Sequence, residues 1–172
     1  MDIQNENDVL RVRWRIWARV AVMLALCVGI GCISPENRRL GETFDIGAVS
    51  YTVKHKEVRS QISAVGSTME AGRGASFVLI SYVVANHGKD YASVNPLDLR
   101  LVTADHTEYD VDLPATYALR MEGMLGSSTE SGSGTLPAGG SGSYTTVFRV
   151  PDDIARQKLN VVIRSRAIVA ID

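Results

Sequence analysis

An all-β domain, built as an antiparallel β-sandwich behind an N-terminal apolar leader, is the fold class this sequence predicts, and three observations carry it. From Phe77 to Ala85 every residue but Ser81 is apolar or aromatic, so both alternating faces of the stretch are apolar. A run of that length and valine content is too short to cross a bilayer and too β-branched for a comfortable helix. It reads as a strand covered on two sides. Around it, about seven short segments of alternating polarity are separated by glycine, proline and polar turns, the pattern of a sandwich. Both cysteines (Cys27, Cys32) and both tryptophans (Trp14, Trp17) lie in the first 32 residues. The body therefore has no disulfide, thiolate metal site or cysteine nucleophile, and its core must rest on aliphatic packing around Val78, Ile80, Tyr82 and Val84, with Phe77, Leu79 and Val83 behind them.

The 172 residues fit one domain with room for a core. A formal net charge of −1 and a pI near 6.3 give no basic face for nucleic acid.

Residues 1–33 read as the leader. Arg11, Arg13, Arg15 and Arg19 precede an uncharged run from Val20 to Ile33, which fits the n- and h-regions of a secretory signal. The run falls short of the roughly 20 residues a transmembrane helix needs. Its end, Val28-Gly-Ile-Gly-Cys32, resembles a bacterial lipobox, in which a small residue precedes a cysteine that becomes lipidated and N-terminal. Gly31 and Ile30 suit that pattern; Gly29 departs from it, since leucine is usual there. Lipidation at Cys32, an uncleaved membrane anchor and soluble secretion are the three outcomes. In each, the arginines hold the N-terminus in the cytoplasm and the body lies outside it. The expected location is the cell envelope, extracytoplasmic and membrane-anchored.

Residues 34–40 are polar and read as a short tether, and residues 41–172 as the sandwich. Gly41 to Val53 alternates on either side of Gly47 as a hairpin or bent strand, followed by the charged edge Lys54 to Arg59 and a small, polar loop over 60–73. After the central strand, Leu97 to Val102 pairs with a returning strand Glu108 to Leu113 across the turn Ala104 to Thr107. Tyr109, Val111 and Leu113 would face inward and Glu108, Asp110 and Asp112 outward. Tyr117, Met121, Met124 and Leu125 share one face of a short helix over 114–126. The Gly/Ser-rich tract 126–143 reads as a mobile loop. Tyr144 to Val150 resumes as a strand, Pro151 to Ala155 turns, and Leu159 to Ile171 closes the chain as one long strand.

Gly41-Glu-Thr with Tyr51-Thr-Val, Phe77-Val-Leu-Ile with Asn86-His-Gly, Leu99-Arg-Leu-Val with Glu108-Tyr, and Leu136-Pro-Ala-Gly with Val147-Phe-Arg-Val-Pro151 come in the order seen in DUF4352. This telokin-like, immunoglobulin-like family comprises secreted bacterial domains and lipoproteins of unknown function, and the resemblance spans about residues 40 to 171. Two departures are Asp105-His106, where the family usually has a glycine turn, and the length of the tract after Gly126. The resemblance implies an envelope-located sandwich and transfers no catalytic residue.

Asp105, Glu108, Asp110 and Asp112 offer oxygen ligands of the kind calcium takes. Alternate strand positions stand roughly 6.5 to 7 Å apart, however, so three carboxylates on one strand face do not converge on one ion. A solvated face that discourages edge aggregation is the competing reading. His55, His87 and His106 sit in separate segments, no Gly-x-Ser-x-Gly elbow occurs, and the Gly/Ser tract lacks a phosphate loop's Lys-Ser/Thr ending. Tyr117, Met121, Met124 and Leu125 either plug the open end of the sandwich or form a partner-binding ridge. The expected function is a non-catalytic, envelope-anchored binding module without a cofactor. Its partners would be the membrane, through the lipid or apolar anchor, and a protein or envelope polymer. A small-ligand or calcium-binding lipoprotein is the alternative.

Overall fold

The computed structural model describes residues 35–64, 67–126 and 134–171; the leader, with Cys32, lies outside the described residues. Two sheets form the sandwich. The strands β1 (Glu36–Arg39), β8 (Leu99–Thr103), β9 (Glu108–Tyr109), β12 (Leu159–Ile163) and β13 (Ala167–Ile171) make a five-stranded sheet in the order β1-β13-β12-β8-β9. Facing it are β2 (Thr43–Ile46), β3 (Val49–Arg59), β6 (Ala75–Asn86) and β11 (Ser141–Pro151), in the order β11-β6-β3-β2. Two small antiparallel pairs, the hairpin β4 (Gln61–Ala64) with β5 (Ser67–Glu70) and the long-range pair β7 (Ala92–Ser93) with β10 (Thr135–Leu136), complete the strands. A helix, α1 (Leu113–Gly126), and a helical turn, α2 (Asp152–Ala155), interrupt them.

Strand periodicity places the core. Val78, Ile80, Tyr82 and Val84 of β6 point between the sheets. They are buried there with Tyr51 and Val53 of β3, Phe148 of β11, and Leu101, Val161 and Val169 opposite. Tyr82 stacks on Tyr144 at 5.8 Å between ring centroids, and Phe44 on Tyr51 at 6.1 Å. Phe77 and Leu79 point the other way. They pack with Ile62, Ala71, Ala115 and Val147 in a second cluster on the outer face of the sheet. The inner face of the central strand is covered along its length, whereas the outer face is closed only at Phe77 and Leu79. Val83, expected behind the core with them, is half-buried and joins neither cluster, because the covering elements do not reach that far along β6.

Several elements depart from the sequence reading. Residues 36–39, expected within a tether, pair in parallel with β13 as β1, so the five-stranded sheet is mixed rather than wholly antiparallel. A strand reading Glu-Asn-Arg-Arg suits an exposed edge, where charge discourages further pairing. The charged edge Lys54 to Arg59 is a continuation of β3 past a bulge between Val53 and His55. The loop expected over 60–73 holds the β4–β5 pair, whose Ile62 is fully buried. Ile62 and Ala71, the buried apolar residues described there, stand too far apart to give an alternation that could be read.

The returning strand over 108–113 shortens to Glu108–Tyr109. Val111 makes one bridge to Phe148 in the other sheet, and Asp112 starts α1. Of the Gly/Ser tract, Thr135–Leu136 is β10 and residues from Ser141 belong to β11; residues 127–133 lie outside the described residues. The long strand ending the chain is instead the β12–β13 hairpin. Its turn places Arg164 at φ 49° and Ser165 at φ 54°, a left-handed pair that usually calls for Asn-Gly. Tertiary contacts hold it. Arg164 Nε donates to Asp98 Oδ2 at 2.8 Å, Nη2 donates to the Ser93 carbonyl at 2.9 Å, and the guanidinium lies 5.8 Å from the Tyr51 ring centroid.

Candidate functional site

The helix α1 is the largest element added to the sandwich, and its first turn is fixed from both ends. Asp112 stands at the cap: Ala115 N donates to Asp112 Oδ1 at 3.0 Å, satisfying one of the amides a helix start leaves open. Pro114 in the first turn costs no helical hydrogen bond there. Asp112 Oδ2 also accepts from Arg149 Nε at 2.9 Å, and Asp112 N donates to the Val147 carbonyl at 2.8 Å. Thr116, fully buried, accepts from Val147 N at 3.0 Å through its hydroxyl. Both backbone groups of Val147, on the edge strand β11, are thereby satisfied by the helix start. The edge is closed at that point.

The underside of α1 is Ala115 and Leu119, packed on the outer cluster. Tyr117 lies off that side and is 53% exposed. It therefore does not plug the sandwich. Met121, Met124 and Leu125 are on the same helix, but their side chains lie outside the described residues.

The acids proposed for calcium are dispersed. Asp105 sits in the turn after β8, where the Thr103 hydroxyl donates to its carboxylate and Thr107 Oγ1 lies 3.4 Å from the other oxygen. These bonds, Thr103's foremost, hold the Asp105 carboxyl below the ordinary range. Asp110 pairs with Arg100 at 3.2 Å, Asp112 pairs with Arg149 on the other sheet, and Glu108 is exposed on β9. Asp112, expected on a solvated strand face, is a helix cap instead. Among the described residues, no three His, Cys, Asp or Glu side chains gather as a metal ion would need.

The histidines also stay apart. His55 follows the β3 bulge, His106 takes φ 66° in the turn after β8, and His87 Nε2 lies 2.9 Å from Ser50 Oγ. Ser50 is itself buried, so this pair closes the base of a loop and offers no accessible nucleophile.

Asn86, the last residue of β6 and the first of the Asn86-His-Gly motif, organises the loops beside it. Its buried amide nitrogen is 2.8 Å from the Asp90 carbonyl, 3.1 Å from Leu136 and 3.0 Å from Pro137, its two N–H groups serving three acceptors. Its Oδ1 accepts from Gly88 N at 2.9 Å. The Asn86-His-Gly and Leu136-Pro-Ala-Gly motifs, 50 residues apart, are thus the two halves of one clamp. Spacing within the chain gives no signal for such a pairing. The Asp112 cap, by contrast, was readable as an acid preceding Pro114 and an apolar helical run.

Comparison with known proteins agrees with this architecture. The sequence profile of DUF4352, a domain of unknown function, matches residues 38–167. No curated protein matches the chain. Among solved structures, a conserved hypothetical protein from Bacillus anthracis superposes with a TM-score of 0.65 at 17% identity, covering 78% of this chain and 95% of that one. An uncharacterized β-sandwich protein from Clostridium difficile gives 0.52 at 11% identity, with coverages of 80% and 95%. The secreted protein MPT63 from Mycobacterium tuberculosis gives 0.51 at 14% identity, with coverages of 80% and 97%. These likenesses concern the fold.

Proposed function

This chain belongs to the DUF4352 family, and we propose that it is a non-catalytic, envelope-anchored extracytoplasmic binding module. Its immunoglobulin-like sandwich would be the scaffold and α1 the contact surface for a protein or envelope polymer. The observation that carries this reading is Tyr117. The helix buries Ala115 and Thr116 and packs Leu119 against the outer cluster, yet leaves a large aromatic 53% exposed on another side. Tyrosine offers much contact area with few rotamers to immobilise, which is why it is enriched in binding surfaces. Export is supported by the arginine-rich start and apolar run, and anchoring by the lipobox-like end at Cys32.

Crosslinking on intact cells tests the contact. Tyr117→Glu should keep the fold, read by circular dichroism, and remove the crosslinked partner; an unaltered crosslinking pattern would overturn the reading. Mass spectrometry of the membrane fraction tests the anchor separately. An acylated N-terminus at Cys32 is expected, and an unmodified Met1 terminus would sink lipidation.

A further inference from the structure

β1 starts at Glu36, so only Ile33, Ser34 and Pro35 stand between Cys32 and the folded sheet. Four residue steps reach at most about 14 Å, even fully extended. An anchor at Cys32 therefore keeps the first residue of β1 close to the lipid headgroups.

The register says which end of the sandwich that is. Glu36 stands opposite Ala167, and Glu36 N donates to the Arg166 carbonyl at 3.1 Å, which places the start of β1 at the β12–β13 turn. Arg164 in that turn is bound to Asp98 and to the Ser93 carbonyl, which adds the loop 87–97 to the same end. That loop holds two of the large exposed apolar side chains, Tyr91 at 76% and Leu97 at 47%. Charges of both signs surround them: Lys89, Arg166 and Arg100, which donates to the Leu97 carbonyl, with Glu36, Asp45 and Asp90. Tyrosine and leucine beside mixed charges suit the headgroup layer, where an aromatic ring can sit with its hydroxyl in water.

We propose that this end of the sandwich rests on the phospholipid surface, with Tyr91 and Leu97 seated among the headgroups. The inference builds on the anchored reading above. It also fixes which surfaces are free. Asn86 and Leu79, where the underside of α1 packs, are seven positions apart on β6, roughly 23 Å at 3.3 Å per residue. The Tyr117 helix then faces away from the membrane, while the loops at the Asn86 end are occupied.

Photocrosslinking of the full chain in its own membranes decides this. Benzoylphenylalanine is introduced singly at positions 91, 97 and 117, and the protein is weighed after illumination. Positions 91 and 97 should gain the mass of one phospholipid, and position 117 should not. Absence of lipid adducts at 91 and 97 in a chain that remains in the membrane fraction would overturn the docking and leave the anchor standing. Lipid adducts at 117 alone would reverse the orientation and overturn it too. A chain recovered only in the soluble fraction would remove the anchor and the docking with it.

Discussion

The two faces of β6 are built on different terms. On the inner face, Val78, Ile80, Tyr82 and Val84 meet a full opposing sheet, and the pairing partners β3 and β11 contribute inward residues in register. On the outer face, Phe77 and Leu79 are covered by Ile62 of β4, Ala71, the half-buried Met69 of β5 and a helix underside of alanine and leucine. The inner face is a continuous layer with no slack. The outer face is a smaller patch closed by the β4–β5 pair and by α1, whose start is bonded to β11, with no second sheet behind it. What differs is how well each site collapses when a side chain is cut back, and that governs the cost of the cut.

Truncation on either side tests this contrast. Ile80→Ala should cost about 4 kcal/mol in chemical denaturation, because the opposing sheet cannot follow the lost atoms. Ile62→Ala should cost about 2 kcal/mol, because β4 and α1 can settle inward. Equal losses would mean that the outer cluster is as integral to the fold as the sandwich core.

Asp112→Ala probes the outer face without touching its apolar residues. Loss of the cap should cost about 1 to 2 kcal/mol, and hydrogen exchange should rise across α1 while β6 stays protected. Loss of protection in both would tie the helix to the global unfolding unit.

Tyr51→Phe is the mildest change and probes the inner face. The Tyr51 hydroxyl is buried with no hydrogen-bond partner among the described residues, so its removal should be near neutral at pH 7. Burial raises its pKa from 10.0 to about 12. The folded state therefore holds the proton more tightly than the unfolded one. Stability from this group is complete below pH 10 and is lost as pH rises from 10 to 12, by up to about 2 to 3 kcal/mol. A wild-type chain that loses no more stability over that window than Tyr51→Phe would contradict the assignment.

Much of the sandwich was legible because strand signals are local. Alternation over Val49, Tyr51 and Val53, over Leu99 and Leu101, and over Tyr144, Thr146, Phe148 and Val150 each lies within a few residues, and each face is buried as that alternation implies. The site was less legible. The helix carrying Tyr117 follows from its spacing, but the side on which Tyr117 lies depends on where α1 docks. Glu108, Asp110 and Asp112 looked like one face of one strand, with Asp105 in the turn before it, where it lies. The three are divided among the short strand β9, an exposed ion pair and a helix cap because the chain leaves β9 for the other sheet after two paired residues.

The sequence by itself determined that a two-sided strand lies at the centre of an all-β body, since covering both faces is the only way to remove such a run from water. It also determined, through residues 38–167, the family to which that body belongs. The tertiary structure alone decided what closes each open edge. Val147 is satisfied by a threonine 31 residues earlier, and the left-handed turn at Arg164 is held by an aspartate 66 residues away. Glu36 to Arg39 become a strand because β13 offers an unpaired edge. Backbone groups left open at an edge or helix end must find partners wherever the fold brings them, and no local pattern records that choice.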